Sequence, residues 1–235
     1  MTAAEIMEQL KPLGSESYKK VMRNHGIPEP FFGVKIAELK KFQKRIKKDY
    51  QLALDLYKTG NYDARYLAGL IADDAKMTRK DLRGWLADAN CAALCEYTIP
   101  WVAAGSLYGY DLALEWIGSK DELTATAGWA TLSSLVATKD DDELDFAELK
   151  RLLARVQKTI HQQPNWVRYA MNGFVIAISG YVKALSEQGL KTANAIGTVN
   201  VHMGGTACKV PYAPDYIEKV RQRGTVGKKR MSAKC

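Results

Sequence analysis

The stretch NYDARYLAGLIADDAKMTRKDLRGWLADANCAALCEYTIP, residues 61–100, decides the fold. Its apolar residues recur at the spacing typical of amphipathic helices, and the pattern breaks at Thr78 and around residues 88–90. Thr78, followed three residues later by Asp81, predicts a capping box at the start of the second helix. Because one helix hairpin cannot bury its own apolar stripe, we expect further helices to stack on it.

The same helical spacing continues along the rest of the chain. Only residues 198–203, TVNVHM, alternate in the manner of a short β-strand or an extended loop. About a dozen helices, recurring loosely as pairs roughly every 35–45 residues, are typical of helical repeat arrays. The sequence therefore predicts an all-α fold, a curved right-handed stack of HEAT-like antiparallel helix pairs. We expect one such domain over residues 1–223, followed by a basic C-terminal tail at residues 224–235.

Composition limits the class of protein. Of the 235 residues, 47% are hydrophobic, which is ample for a core. No apolar run approaches the length of a membrane span, and the charged start does not resemble a signal sequence. The four cysteines lack the spacing of a secreted disulfide framework. We expect a monomeric cytoplasmic protein without a membrane partner.

The charge is divided unevenly along the chain. Residues 151–235 hold 14 Lys and Arg against 3 Asp and Glu, whereas residues 58–150 hold 9 against 16. A basic excess of this kind fits a polyanion such as nucleic acid, although basic surfaces also serve solubility alone. A second group of cations lies on the polar faces of the helix that follows Gly33. These residues, which either contact phosphates or are simply solvated, are Lys35, Lys40, Lys41, Lys44, Arg45, Lys47 and Lys48.

Two interpretations of the cysteines remain open. Cys91 and Cys95 lie one helical turn apart and, with the distant His202 and Cys208, have the residue types of a zinc site. The alternative is a pair of buried reduced thiols, because the usual CxxC spacing is missing. No P-loop, dinucleotide fingerprint, nucleophile elbow or HExxH is present, so those enzyme classes have no support.

Several short motifs resemble one family in both sequence and order. They are YKKVMRNHGI (18–27), GVK (33–35), NYDAR with LA (61–68) and VRYAM (167–171). Together they are similar to the AlkD-like DNA alkylation-repair family, over roughly residues 15–190. The resemblance implies a curved HEAT-like stack with double-stranded DNA across its concave face. It also implies removal of N3- and N7-alkylated purines by cleavage of the N-glycosidic bond, without a metal or cofactor.

The resemblance also implies a catalytic carboxylate. An alkylated purine is a cationic leaving group, and a carboxylate stabilises the oxocarbenium-like sugar that its departure leaves. The family places an aromatic residue one helical turn before an acid that precedes a proline. Ala92, Glu96 and Pro100 occupy the matching positions, so Glu96 is the catalytic candidate.

Other family positions are not matched. An arginine expected within residues 125–131 is absent, and an expected aromatic falls at Gly173, next to Phe174. Trp101, Trp129 and Trp166 are candidates to stack on the base instead, or they are core residues.

The remaining candidate site residues are basic. The residues expected to contact DNA are Lys35, Lys40, Lys44, Arg65, Arg168, Lys228, Lys229 and Arg230. The alternative to a glycosylase is a non-catalytic binder of distorted or branched DNA, or a helical-repeat scaffold for protein interactions.

Overall fold

The computed structural model describes residues 1–234, which form thirteen α-helices. In chain order they are α1 (Ala3–Leu10), α2 (Glu16–Asn24), α3 (Ile36–Ile46), α4 (Tyr50–Lys58), α5 (Tyr62–Ile71), α6 (Arg79–Ala87), α7 (Ile99–Gly105), α8 (Gly109–Trp116), α9 (Glu122–Thr138), α10 (Phe146–Thr159), α11 (Asn165–Tyr181), α12 (Ser186–Ile196) and α13 (Ala213–Gln222). Among these residues, no helix combines the length and the apolar character needed to cross a bilayer.

The all-α prediction is confirmed. Over residues 1–234 there is no β-strand, and one isolated bridge joins Gly14 to Val34. Residues 198–203 lie in an irregular loop, residues 197–212, so the strand alternative for this segment is wrong. The loop bonds to helix termini rather than to a strand: the His202 N–H donates to Asn165 Oδ1 at 2.7 Å.

Local sequence signals begin the helices as predicted. Thr78 and Asp81 form the expected capping box at α6, and Asn61 caps α5 by accepting from the Ala64 N–H at 3.2 Å. The helices then pack as neighbours in sequence, α4 on α5, α8 on α9 and α11 on α12. Helix α9 also packs along α11, and residues 63–71 of α5 are all buried. These three helices form the inner part of the stack.

Asp63 joins the N-terminal helices to this inner part. Its carboxylate accepts hydrogen bonds from the backbone N–H groups of Phe32, Gly33 and Val34, at 2.6, 3.1 and 3.1 Å. Gly33 has a φ of +79°, a conformation that glycine adopts without a steric cost. Burial raises the pKa of Asp63, although the three N–H donors act in the opposite direction. One fully buried carboxylate therefore holds the turn between α2 and α3 against α5.

A π-helical segment, Leu94–Thr98, precedes α7. In an α-helix the N–H of residue 100 would donate to the carbonyl of Glu96, but Pro100 has no N–H and its ring would clash with that carbonyl. The backbone widens instead, and the Ile99 N–H donates to Leu94 O, five residues earlier. Helix α5 approaches this segment so closely that a Cβ on Gly69 would lie 2.7 Å from the Thr98 methyl carbon.

Residues 224–234 form a C-terminal strap that crosses the ends of inner helices. The Gly227 N–H donates to Gly180 O near the end of α11, at 2.9 Å. The Arg230 N–H then donates to Ala137 O near the end of α9, at 2.7 Å. Over residues 224–234 the predicted basic tail is therefore packed against the helical body, and Cys235 lies outside the described residues.

Two lysines of the C-terminal strap bind helix C-termini. Lys229 Nζ donates to Val136 O at 2.9 Å, and Lys234 Nζ donates to Ala72 O at 2.8 Å. Lys234 also lies 2.7 Å from Asp74, with side-chain exposures of 9% and 16% respectively. Cations are favourable at helix C-termini because the unpaired carbonyls carry partial negative charge. The C-terminal strap thus contacts α11, α9 and the end of α5 in succession.

Candidate functional site

Glu96 lies on the π-helical segment between two cavities. The first, which we call the aromatic cavity, has a volume of about 230 Å³, and the second, the groove cavity, about 340 Å³. Both are lined by Glu96, Tyr97 and Tyr169. The widened backbone before Pro100 therefore sets an acidic side chain between two open spaces. Such π-helical segments are frequent at functional sites.

The aromatic cavity is lined by rings from three helices. Tyr62 and Tyr66 of α5 have ring centroids 6.3 Å apart, and Trp166 and Tyr169 of α11 are 6.1 Å apart. Tyr18 of α2 adds a further ring. Aliphatic and sulfur-containing side chains complete much of the wall; they include Met22, Ile27, Val34, Leu39, Met203 and Cys208.

Two positions where the family resemblance expected rings are small residues that line these cavities. Ala92 lines the aromatic cavity, and Gly173 lines the groove cavity. A Cβ on Gly173 would meet nothing within 4 Å. The neighbouring Phe174 does not fill this space, because it is buried against Trp129 with ring centroids 5.1 Å apart. The missing rings thus leave room on either side of Glu96.

Glu96 is half-buried, its Oε1 atom is enclosed, and the side chain has no ionic partner within residues 1–234. No residue within 1–234 donates a hydrogen bond to Oε1, and no lysine or arginine forms an ion pair with Glu96 there. Burial raises the pKa of Glu96 to about 8. At neutral pH the side chain is therefore mostly a neutral carboxylic acid, with one O–H donor and one carbonyl acceptor.

The three candidate tryptophans occupy different environments. Trp129 is 1% exposed and lines none of the cavities, whereas Trp101 is 4% exposed and lines the groove cavity together with Glu96. Trp101 packs edge-on against Tyr66, and Trp129 lies beneath the Arg155 guanidinium at 5.4 Å. For Trp129, the interpretation as a core residue is the one that the structure supports. Trp166 is half-buried and lines the aromatic cavity.

Two of the basic candidates, Arg65 and Lys229, are engaged within the protein. Arg65 is 8% exposed and donates to the carbonyls of Tyr57 and Asp88 at 3.2 and 2.9 Å, which does not favour the predicted DNA contact. Lys229 pairs with Asp141 at 2.8 Å. Arg168 is half-buried, and its Nε has no hydrogen-bond partner within residues 1–234.

Other cations meet although they are distant in sequence. A cavity of about 700 Å³, which we call the basic notch, separates the end of α3 from the C-terminal strap. The lysines that line it are Lys44, Lys47, Lys48, Lys139 and Lys234. Lys35, Lys228 and Arg230 are exposed and Lys40 is half-buried; Arg230 lines the groove cavity. The structure thus brings part of the α3 cluster together with the C-terminal strap, and DNA contact at these residues stays a prediction.

The three cysteines within residues 1–234 do not gather into a metal centre, and Cys235 lies outside the described residues. Cys91 and Cys95 are buried free thiols, and Cys208 is an exposed one. Burial raises the pKa of both buried thiols, so they stay protonated. Within residues 1–234 no group of three or more His, Cys, Asp or Glu side chains is placed to hold a metal ion.

The fold defines the class of protein. The chain superimposes on a solved structure described as "A new family of proteins related to the HEAT-like repeat DNA glycosylases with affinity for branched DNA structures". The TM-score is 0.91, with 34% identity and complete coverage of both chains. The predicted curved, right-handed HEAT-like stack is therefore confirmed.

The chain belongs to the DNA alkylation repair enzyme family, whose model matches residues 6–216. Two uncharacterized proteins, Lin0241 of Listeria innocua and Lmo0209 of Listeria monocytogenes, are each 32% identical to it over 228 residues. Each alignment covers 95% of this chain and 99% of the relative. The resemblance of the sequence motifs to the DNA alkylation-repair family is thus confirmed. The match to the family model ends before the C-terminal strap begins.

Sequence reasoning missed one part of this site. Glu96 was found from the family spacing, but the π-helical segment that positions it was not. The available signal was Pro100, four residues after Glu96, which removes the hydrogen bond that an α-helix would form there.

Proposed function

We propose that this protein binds double-stranded DNA at branches or distortions, through contacts with the DNA backbone. The observation that carries the proposal is its similarity, over the full length of both chains, to a protein described as having affinity for branched DNA. The basic notch supports it, because lysines at the end of α3 meet Lys139 and Lys234 around one concavity, where Glu143 and Asp74 pair with the latter two. Lysines in such an arrangement neutralise phosphates and displace counterions.

Binding of this kind is expected to weaken steeply with salt. A protein that contacts six to ten phosphates loses roughly 10³–10⁵ in affinity between about 50 and 200 mM salt. We expect fluorescence anisotropy to show tighter binding to a four-way junction than to a linear duplex built from the same sequences. Lys44→Ala with Lys47→Ala should lower the slope of log affinity against log salt by about 2, since each lysine accounts for about one contact.

The matched control is Lys150→Ala with Lys158→Ala on α10, which removes the same charge from exposed positions that line none of the cavities described above. Equal slopes for the two double variants would show that the basic notch does not contact DNA. Equal affinity of the wild-type protein for junction and duplex would end the proposal of branch recognition.

A second candidate function is excision of N3- or N7-alkylated purines, because Glu96 is an unpaired carboxyl group beside aromatic rings. The neutral acid cannot stabilise an oxocarbenium ion, whereas the carboxylate can. Since the pKa of Glu96 is about 8, the rate of excision should rise with pH through about 8. The rate of excision is measured as release of methylated purines from alkylated DNA. Glu96→Gln should abolish this release. Unchanged release by Glu96→Gln would remove Glu96 from catalysis.

A further inference from the structure

The aromatic cavity is large enough for a planar ring system. Its volume of about 230 Å³ exceeds the roughly 150 Å³ of a cavity known to bind benzene. It remains open because Ala92 stands where the family resemblance places an aromatic side chain. Rings from α2, α5 and α11 line it, and Glu96 supplies a buried polar atom without a hydrogen-bond partner. A site with flat apolar walls and one polar contact suits a flat heterocycle whose edge is polar.

A nucleobase has this chemistry. An unpaired base stacks on aromatic side chains whatever its sequence, because every base has a π-face. The Watson–Crick edge of each of the four bases presents a donor beside an acceptor. A neutral carboxyl group presents the complementary acceptor and donor, so it pairs with any of them. An ionised carboxylate offers acceptors only and loses half of this pairing with adenine, cytosine and thymine, whereas guanine can still donate to it from both N1–H and N2–H.

We propose that the aromatic cavity accepts one unpaired nucleobase, displaced from the duplex at a branch or distortion, and that Glu96 pairs with the Watson–Crick edge of this base. The inference rests on the proposed binding of branched DNA and adds a site to it. Bulges, and branch points that contain unpaired nucleotides, supply such bases at low cost, because a base that is already unpaired does not have to be extruded. Such a cavity would favour DNA that contains unpaired bases without selecting a sequence.

The loop of residues 197–212 completes the site. Its Met203 and Cys208 line the cavity. The loop is bonded at both sides, because the Gly205 N–H donates to Asn24 O of α2 at 3.2 Å and His202 bonds to Asn165 of α11. A base in the cavity would thus contact the first and last parts of the stack together.

The test compares two duplexes that differ by one base. Each carries a single-nucleotide bulge, in one case with a base and in the other with an abasic analogue. The wild-type protein is expected to bind the base-containing bulge about tenfold more tightly, which is the size of one stacking contact. Ala92→Trp, which fills the cavity, should abolish this difference while the salt slope stays unchanged. Ala147→Trp, at an exposed position of α10, is the matched control.

Two Glu96 variants test the polar contact without filling the cavity. Glu96→Gln retains a donor beside an acceptor and should keep the preference for the base, whereas Glu96→Leu should lose most of it. With adenine, cytosine or thymine in the bulge, the preference of the wild-type protein should fade as pH rises through about 8, because the carboxyl group then ionises. In Glu96→Gln it should not fade.

Other groups that titrate or carry charge line the two cavities around Glu96. They are Tyr18, His25, Tyr62, Asp63, Tyr66, Tyr97, Tyr169, Tyr181, Cys208 and Arg230. Burial raises the pKa of Tyr18, Tyr62 and Tyr169, so these phenols stay neutral near pH 8. Any contribution from His25 or Cys208 would persist in Glu96→Gln, which isolates the effect of Glu96.

The outcomes separate the two proposals. Junction binding with equal affinity for base and abasic bulges would overturn the nucleobase site and leave branch recognition standing. Absence of salt-dependent binding to any of these DNAs would overturn both. Loss of the base preference in Glu96→Leu, together with its retention in Glu96→Gln, would support the site even if Ala92→Trp failed to fold.

Discussion

Replacement of Asp63 by alanine is expected to destabilise the fold by on the order of 3–6 kcal/mol, because a buried donor left without a partner costs about 1–3 kcal/mol. Three backbone N–H groups, those of Phe32, Gly33 and Val34, lose their acceptor in this variant. Such a loss is a large part of the roughly 5–15 kcal/mol that stabilises an ordinary domain. Urea unfolding followed by circular dichroism measures it.

Asp142→Ala is the matched control for this substitution. Asp142 is exposed, and its change should alter the free energy of unfolding by less than about 0.5 kcal/mol. Asp63→Asn should fall between the two, because the amide retains one acceptor oxygen. If Asp63→Ala were as stable as Asp142→Ala, the link between the α2–α3 turn and α5 would not be important for stability.

Replacement of Lys234 by alanine should cost about 3 kcal/mol, because removal of one member of a buried ion pair strands the other charge. The stranded group is Asp74, which is 16% exposed and already has a pKa raised by burial. The Ala72 carbonyl at the end of α5 also loses its donor. Thermal or urea unfolding of the single variant gives the cost directly.

A double-mutant cycle distinguishes the ion pair from general packing of the C-terminal strap. Asp74→Asn combined with Lys234→Ala should be less destabilised than the sum of the two single variants, because no charge is then left unpaired. Lys228→Ala, at an exposed position of the same segment, should be nearly neutral. Strict additivity in the cycle would contradict the role given to the pair.

Features coded by nearby residues were predictable from the sequence. The capping box of Thr78 and Asp81 spans four residues, so its geometry depends little on the rest of the chain. The helix boundaries around residues 88–90 follow from local pattern in the same way. The family motifs then located Glu96, because residues that match a family motif are expected to occupy the same positions in the fold as they do in other members of the family.

Features that depend on distant partners were not predictable from pattern. Arg65 was expected to contact DNA, but carbonyl groups eight and twenty-three residues away bind its guanidinium inside the protein. Trp129 is flanked in sequence by Thr126 and Thr131, so the local pattern does not mark it as buried, and its burial depends on α11, more than thirty residues later. Lys229 and Lys234 form part of a basic run that is usually solvated, yet their acceptors lie 93 and 162 residues away.

The C-terminal strap changes how the helical array shares its stability. In an open array each repeat is coupled only to its neighbours, so the two ends can fray independently and unfolding can proceed by segments. A segment that is bonded to α11, α9 and the end of α5 adds couplings between repeats that are not adjacent. Loss of order at the last helices then removes contacts from the middle of the array at the same time. The array should therefore unfold as a single cooperative unit. Its curvature is stabilised by contacts between non-adjacent helices as well as by the stacking of each helix pair on the next.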